Sequence, residues 1–309
     1  MAKRVSIINF KGGVGKTTLA FQLAAGLARY DSAKVLAIDV DHQSSLSILC
    51  LGASGWDSIV KTGQSIDKVF KSFIGQNNPM PGADILYKTQ LWQNRYGSLH
   101  IAPATLALDD IEIELTASHQ GNAIQSEWNK RTLICKWLEE TGIDDKYDYI
   151  IFDCPPATKI VSQNAIAASH GYIIPVVPEA VMERGAPHLA NMVKTGIDAK
   201  LQAIATFGDK RSLFVPDTKL VGVAITRIKS AAGYSGYTDD HTQHLHSLKR
   251  RWKKDLVEPY ISDGTGVSQA LSSGVPVYDR GNTQNIGGRG IHTQYEKLTK
   301  TLKKRIDAL

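Results

Sequence analysis

Cysteine is scarce in this chain: Cys50, Cys135 and Cys154 are the three in 309 residues, and no two form a C-x-x-C pair. So sparse and odd a set fits a reducing cytoplasm and carries no metal or cluster signature. No apolar run approaches the ~20 residues that a membrane-spanning helix needs. The opening stretch "MAKRVSIINF" is too short, and too quickly followed by functional residues, to read as a signal peptide. Internal repeats, low-complexity segments and clear linkers are missing as well. The rest is ordinary for a soluble globular protein, with 42% hydrophobic and 21% charged residues. A formal net charge of +6 leans mildly towards an anionic partner.

What is present begins with "NFKGGVGKTT", Asn9 to Thr18. Before it, "RVSIINF" is short, apolar and rich in β-branched residues, so it predicts a buried strand. After it, Leu19, Phe21, Leu23, Ala24 and Leu27 fall at helical spacing. Strand, glycine loop, Lys-Thr and helix is the context of a P-loop, which argues against a bare glycine turn with solvated lysines. Glycines let the backbone approach phosphate oxygens, and consecutive N–H groups with the positive helix end hold the anion. Lys16 is then expected to reach the β- and γ-phosphates, and the Thr17 hydroxyl to ligate Mg²⁺.

Further strands are expected from Val35 to Val40 and in "SLHIAPA", "YDYIIFDCPPA", "GYIIPVVPEA" and "KLVGVAITRIK", with a short one in "DLVEPYIS". Leu108, Ile111 and Leu115 fall at helical spacing, and helices fill most of the gaps. Strands alternating with helices predict a doubly wound α/β fold, a mostly parallel sheet with helices on both faces. The length allows one large domain or two small ones. We expect one domain over residues 1–309, with 52–97 as a less regular elaboration. In such a sheet, ligands bind beyond the carboxyl ends of the strands. Three of those ends carry suitable chemistry: the glycine loop, Asp39 with Asp41, and Asp153. Carboxylates beside phosphates repel them unless a divalent cation intervenes. Strand-end aspartates also serve often as helix N-caps, which is the blander reading of all three.

The strict pattern G-x-x-x-x-G-K-[ST] fails, because Phe10 stands at the first glycine position. The pattern K-G-G-x-G-K-T fits, and it resembles the deviant Walker A loop of the ParA/MinD ATPases. The resemblance implies ATP held by Lys11, Gly12, Gly13, Val14, Gly15, Lys16, Thr17 and Thr18, with Lys11 crossing a dimer interface to the partner's nucleotide. Asp153 resembles the Walker B aspartate, placed to hold a Mg²⁺-bound water. Asp39 and Asp41 resemble the switch I motif. By that likeness Asp41 positions or activates the attacking water, and Asp39 supports the metal shell. His42 stands where the family commonly has proline, and Ser262 departs from a typical proline in the same way. Ala270, Gly274 and Pro276 match the family's A-x-x-x-G-x-P ending. "TRIK" occupies the strand end bordering the base, which assigns Thr226 and Arg227 to the nucleotide. No N-K-x-D tetrad follows a strand, so ATP is preferred to GTP. The likeness spans nearly the whole chain and is weakest between residues 52 and 100.

Nucleotide chemistry alone does not separate a DNA-partition ATPase from a MinD-like membrane-surface ATPase or a ParA-like protein that positions a protein cargo. A cluster-handling relative such as the nitrogenase iron protein is disfavoured by the cysteine count. The C-terminal "QYEKLTKTLKKRIDAL" has Tyr295, Leu298, Leu302, Ile306 and Leu309 at helical spacing but no Phe or Trp, so core packing is expected rather than membrane binding. In "HTQHLHSLKRRWKKDLV", Leu245, Leu248, Trp252 and Leu256 would anchor one helix face. Lys249, Arg250, Lys253 and Lys254 would then project as a DNA-binding surface or a merely solvated one, with Arg280 and Arg289 as further basic candidates. His241, His244 and His246 lie close together without a known metal-site pattern. The partners implied are a second copy of the chain, non-specific DNA and a ParB-like adaptor, in the cytoplasm and on the nucleoid.

Overall fold

The computed structural model describes residues 1–75, 78–89, 97–207, 212–231, 236–279 and 290–309. Arg280 and Arg289 lie outside the described residues. Eight strands form one sheet: β1 (Lys3–Ile7), β2 (Lys34–Asp39), β3 (Tyr87–Lys88), β4 (Ser98–Ala102), β5 (Tyr149–Asp153), β6 (Gly171–Val176), β7 (Lys219–Ile225) and β8 (Leu256–Val257). Their order is β3-β4-β2-β5-β1-β6-β7-β8, and every pairing is parallel except that of β3 with β4. The doubly wound α/β expectation therefore holds, with a two-residue antiparallel edge strand added.

The near-continuous apolar runs are explained by burial on both faces. Along β2, Leu36 and Ile38 enter one core while Val35 and Ala37 enter the other. The second core is closed by the Lys16–Tyr30 and Ile291–Asp307 helices. These helices meet at Gly26, where a Cβ would come within 2.7 Å of the Tyr278 hydroxyl and 2.8 Å of Thr299 Oγ1. Tyr295, Leu298, Leu302 and Ile306 are fully buried there, each worth on the order of 2 kcal/mol. The C-terminal helix thus spends its apolar face on the core, as its spacing predicted. Among the described residues, no helix is long and apolar enough to cross a membrane.

In the described part of 52–97, Gly52 (φ 72°, ψ 164°) interrupts the Ser45–Thr62 helix, which then resumes. Ile59, Ile66, Val69, Phe70, Phe73 and Ile85 are buried in the two cores. Of two expectations for Leu256, the short strand in "DLVEPYIS" holds and the helical one needs correction: Leu256 does not continue the helix of Leu245, Leu248 and Trp252. That helix, Asp239–Trp252, stops where Lys253 takes φ 46°, and Leu256 opens β8.

Arg4 is buried within β1 and is fully paired. It donates to Asp144 Oδ1 at 2.7 Å and to the carbonyls of Ala168 and Leu213. Its backbone N–H donates to His170 Nδ1 at 3.1 Å, so the neutral ring accepts through that nitrogen. Burial, and then the Arg4 guanidinium, pull the His170 pKa from 6.5 down to about 4. A group held neutral in the folded state favours folding above its unfolded pKa and loses that advantage as pH falls from 6.5 towards 4. The parent should therefore lose more stability between pH 7 and pH 5 than His170→Asn, which keeps an acceptor but cannot titrate. The difference expected from urea unfolding is on the order of 1 kcal/mol, after discounting for the ring's partial exposure. Parallel pH profiles for the two proteins would remove His170 from the account.

Candidate nucleotide-binding site

The glycine loop runs from the end of β1 to the Lys16–Tyr30 helix. Gly13 (φ 74°) and Gly15 (φ 80°) take left-handed conformations, which side chains with a Cβ disfavour. Asn9 fixes the loop's entry: its Nδ2 donates to the Pro175 carbonyl at 2.6 Å, and its Oδ1 accepts the Lys11 N–H at 3.0 Å. The exit is held from β7. Thr226 Oγ1 donates to the Val14 carbonyl at 2.6 Å, and Arg227 Nη1 donates to the Gly13 carbonyl at 3.2 Å. Tying these carbonyls back leaves the loop and first-turn N–H groups for an anion.

The two loop lysines are placed unequally. Lys16 is 7% exposed, and its Nζ donates to the Lys11 carbonyl at 3.3 Å. Burial pulls its pKa below the usual range, while the Asp153 and Asp41 carboxylates oppose the fall. Lys11 lies at the surface, and its Nζ pairs with Glu179, just before the Ala180–Met192 helix. That contact holds the Glu179 carboxyl below its ordinary range.

Asp39 and Asp153 are register partners at the ends of β2 and β5. Asp39 is fully buried and accepts from the Asp41 N–H at 3.1 Å, the Ser47 N–H at 2.9 Å and Ser47 Oγ at 2.7 Å. Burial raises its pKa to about 7 against those bonds. It thereby satisfies a first-turn N–H of the Ser45–Thr62 helix, so the capping role is real for Asp39, although Ser44 is the N-cap. Asp153 differs. Both of its oxygens are buried without an ordinary hydrogen-bond partner, and burial and Asp39 raise its pKa strongly. The Thr17 hydroxyl is close enough to favour its charged form. A buried, unsatisfied carboxylate beside a threonine hydroxyl and the glycine loop fits a Mg²⁺ shell completed by phosphate and water. Asp41 is 7% exposed, accepts the Gln43 N–H at 3.0 Å and faces the cleft. His42 Nδ1 lies 3.9 Å from both Asp41 and Asp109.

These groups surround a cleft of about 670 Å³, whose far wall is formed by Thr226, Arg227 and the Ser262–Gly264 turn. Gly12, Gly13, Gly15, Lys16, Thr17, Thr18 and Asp41 line it together. Asn9, Ser47 and Glu179 were not singled out from sequence. Asn9 and Glu179 stand inside the motifs quoted above, but a polar residue there gives no sign of its partner.

The basic candidates lie elsewhere. Lys249 and Arg250 are exposed at the end of the Asp239–Trp252 helix, and Lys253 and Lys254 are exposed in the following turn. Leu245, Leu248 and Trp252 are buried, which turns the cations outward. The histidines before them are paired separately: His241 Nδ1 accepts the Lys229 N–H, and His244 contacts Glu183 at 2.8 Å. Among the described residues, no group of three or more His, Cys, Asp or Glu is arranged for a metal ion. Cys50, Cys135 and Cys154 are free and buried, with thiol pKa values pushed up by burial.

The chain is 28% identical over 276 residues to the chromosome partitioning protein ParA of Myxococcus xanthus, covering 88% of this chain and 80% of that protein. It is 27% identical over 279 residues to the sporulation initiation inhibitor protein Soj of Bacillus subtilis, covering 90% of each. Two solved structures share the fold at lower identity. Cobyrinic acid a,c-diamide synthase from Mycobacterium smegmatis, with bound ADP and magnesium, superposes with a TM-score of 0.67 at 19% identity, over 100% of this chain and 96% of that one. ParA of pNOB8 bound to nonspecific DNA gives 0.60 at 18% identity, over 100% and 99%. A family model described as an AAA domain matches residues 2–205, a span that takes in the glycine loop and both acidic strand ends. With a second lysine at the front of that loop, the chain belongs to the ParA/MinD family of deviant Walker A ATPases.

Proposed function

We propose that this chain is an ATP-hydrolysing partition switch of plasmid or chromosome. It closes as a homodimer over two nucleotides and binds DNA without sequence preference in that state. A ParB-like adaptor then speeds hydrolysis and reopens it. The observation that carries this reading is the unequal placement of the loop lysines. Lys16 is buried beside its own loop, whereas the Lys11 side chain is 36% exposed and pairs with Glu179, so a facing subunit would be able to recruit it. Closing two subunits over the γ-phosphate strips water from its charge, and a lysine from across the interface neutralises it in that site. Thr17 and Asp153 would hold Mg²⁺, directly or through water, with Asp39 supporting the shell. The cation supplies charge neutralisation between these carboxylates and the β- and γ-phosphates. Asp41, at the cleft wall, orients the attacking water. Thr226 and Arg227 border the base.

The likeness to the chromosome partitioning protein of Myxococcus xanthus favours partition, and the pNOB8 structure offers a precedent for DNA without sequence preference. The buried apolar face of the Ile291–Asp307 helix favours the nucleoid over a membrane surface. A cytoplasmic, nucleoid-associated protein follows from this reading.

Asp41→Ala should leave ATP bound but cut turnover at least about a hundredfold, because the water loses its orienting group while the phosphate cradle stays intact. Unchanged phosphate release would remove Asp41 from the catalytic list.

The two lysines should separate by assay. Lys16→Ala should abolish productive ATP binding in calorimetry. Lys11→Ala should retain binding by the monomer yet lose ATP-dependent dimerisation in light scattering. A Lys11→Ala protein that dimerises and hydrolyses normally would sink the closed-dimer reading.

For DNA, affinity for random duplex should require ATP and fall with salt, with a log–log slope of about −0.9 per phosphate contacted. Replacing Lys249, Arg250, Lys253 and Lys254 by glutamine should weaken that binding and spare dimerisation. Anionic liposome binding without DNA binding would turn the reading towards a MinD-like protein. DNA binding untouched by the four changes would move the interface elsewhere.

A further inference from the structure

The turn at Ser262–Gly264 lines the nucleotide cleft opposite the glycine loop. Two backbone bonds tie it to Ile228, three residues beyond β7: Ile228 N–H donates to the Ile261 carbonyl, and Asp263 N–H donates to the Ile228 carbonyl, both at 2.8 Å. Neither uses the Ser262 N–H. That group donates to Gln294 Oε1 at 2.8 Å, and Gln294 Nε2 donates back to Ser262 Oγ at 3.0 Å. One amide from the Ile291–Asp307 helix therefore grips the backbone and the side chain of a single cleft-lining residue. The contacts continue: Asp263 pairs with Arg227 Nε at 3.2 Å, and Arg227 Nη1 reaches the Gly13 carbonyl at 3.2 Å. The C-terminal helix is thereby joined to the glycine loop through the far wall of the cleft.

We propose that Gln294 is a positioning residue for the nucleotide. It holds the Ser262–Gly264 turn in its binding form by gripping both the backbone and the side chain of Ser262. The proposal rests on the ATP-binding reading above. Gln294 does not itself line the cleft and touches no reacting atom. Its effect is preorganisation: a turn already fixed need not be ordered when the nucleotide arrives, so losing the clamp weakens binding rather than chemistry. Proline at 262 would fix φ and remove an N–H that the turn's own backbone bonds do not use, so it can replace the clamp.

The test compares Gln294→Leu, Gln294→Glu and the double variant Gln294→Leu/Ser262→Pro. ATP affinity is read by calorimetry, KM and kcat by phosphate release, and the melting temperature without nucleotide. Gln294→Leu should bind ATP about tenfold more weakly. Its kcat at saturating ATP should stay within about twofold, and the ligand-free melting temperature should be nearly unchanged. Gln294→Glu still accepts from the Ser262 N–H and hydroxyl, so it should stay near the parent. The double variant should recover affinity. Parental affinity in Gln294→Leu, or a loss that proline does not recover, would overturn the proposal. So would equal falls in kcat and melting temperature, which a purely structural role produces. If Gln294→Leu does not fold, amide exchange in the parent decides: a protected Ser262 N–H supports the clamp, and exchange at an open-loop rate overturns it. Lys16→Ala, run alongside, keeps the two readings apart. If it loses ATP binding, the cleft assignment stands whatever Gln294 does. If it binds normally, that assignment fails first.

Discussion

Burial of two neighbouring carboxylates constrains the centre of this protein. Asp39 and Asp153 end neighbouring strands in register, and neither is exposed. Their relief is uneven. Asp39 collects three donors from the loop and helix that follow β2, whereas both oxygens of Asp153 go without. Leaving a buried charged group unsatisfied costs several kcal/mol in general, so such a group is kept for what it binds. Lys16 attracts the Asp153 carboxylate, and its own burial weakens its hold on the proton. Lysine, two carboxylates and a threonine hydroxyl together leave a net negative charge that a divalent cation would offset, and under the proposed function Mg²⁺ with a nucleoside triphosphate would complete the set.

The same pair sets a pH response opposite to that of His170. A carboxyl whose pKa rises on folding, as Asp39's does to about 7, makes the folded state more stable as pH falls through that value. His170, lowered to about 4, makes it less stable across the same range. The two lie on opposite ends of β1's neighbourhood: the carboxylates face the nucleotide end, and His170 accepts from Arg4 near the start of the strand. Whole-protein pH profiles sum the two, which is why the effect of His170 has to be taken as a difference between variants.

The strand–loop–helix unit, the parallel sheet and the convergence of Asp39, Asp41 and Asp153 were legible in the sequence, because each rests on a local pattern. Apolar runs followed by aspartates mark strand ends, and parallel topology brings strand ends to one edge. The contacts that tune the site were not legible. Glu179 lies 168 positions from Lys11, and Arg227 lies 214 from Gly13. No local pattern encodes which polar residue meets which across such distances. The helical reading of Leu256 failed for a related reason: its spacing from Trp252 suits a helix, but Lys253 ends that helix with a positive φ, which its residue type seldom takes, and Leu256 opens the short strand also expected there. The two-residue β3 is too short to show any period.

Fold likeness alone leaves the biological output open, since a diamide synthase and a DNA-bound ParA superpose comparably on this chain. What they hold in common with it is the fold, and a fold does not fix a function. Specific output must come from surfaces outside the nucleotide cleft. Here the Ile291–Asp307 helix gives its apolar face to the core and its Gln294 to the cleft wall, which leaves it little with which to anchor a membrane. The Asp239–Trp252 helix does the reverse. It buries Leu245, Leu248 and Trp252 and turns Lys249 and Arg250 to solvent, beside a turn that adds Lys253 and Lys254. In the proposed DNA-binding role a single subunit's patch would meet few phosphates, and counterion release makes affinity grow steeply with their number. Under the proposed function a nucleotide that joins two subunits would double the patch, so control of DNA affinity by ATP would need no change in the basic segment itself.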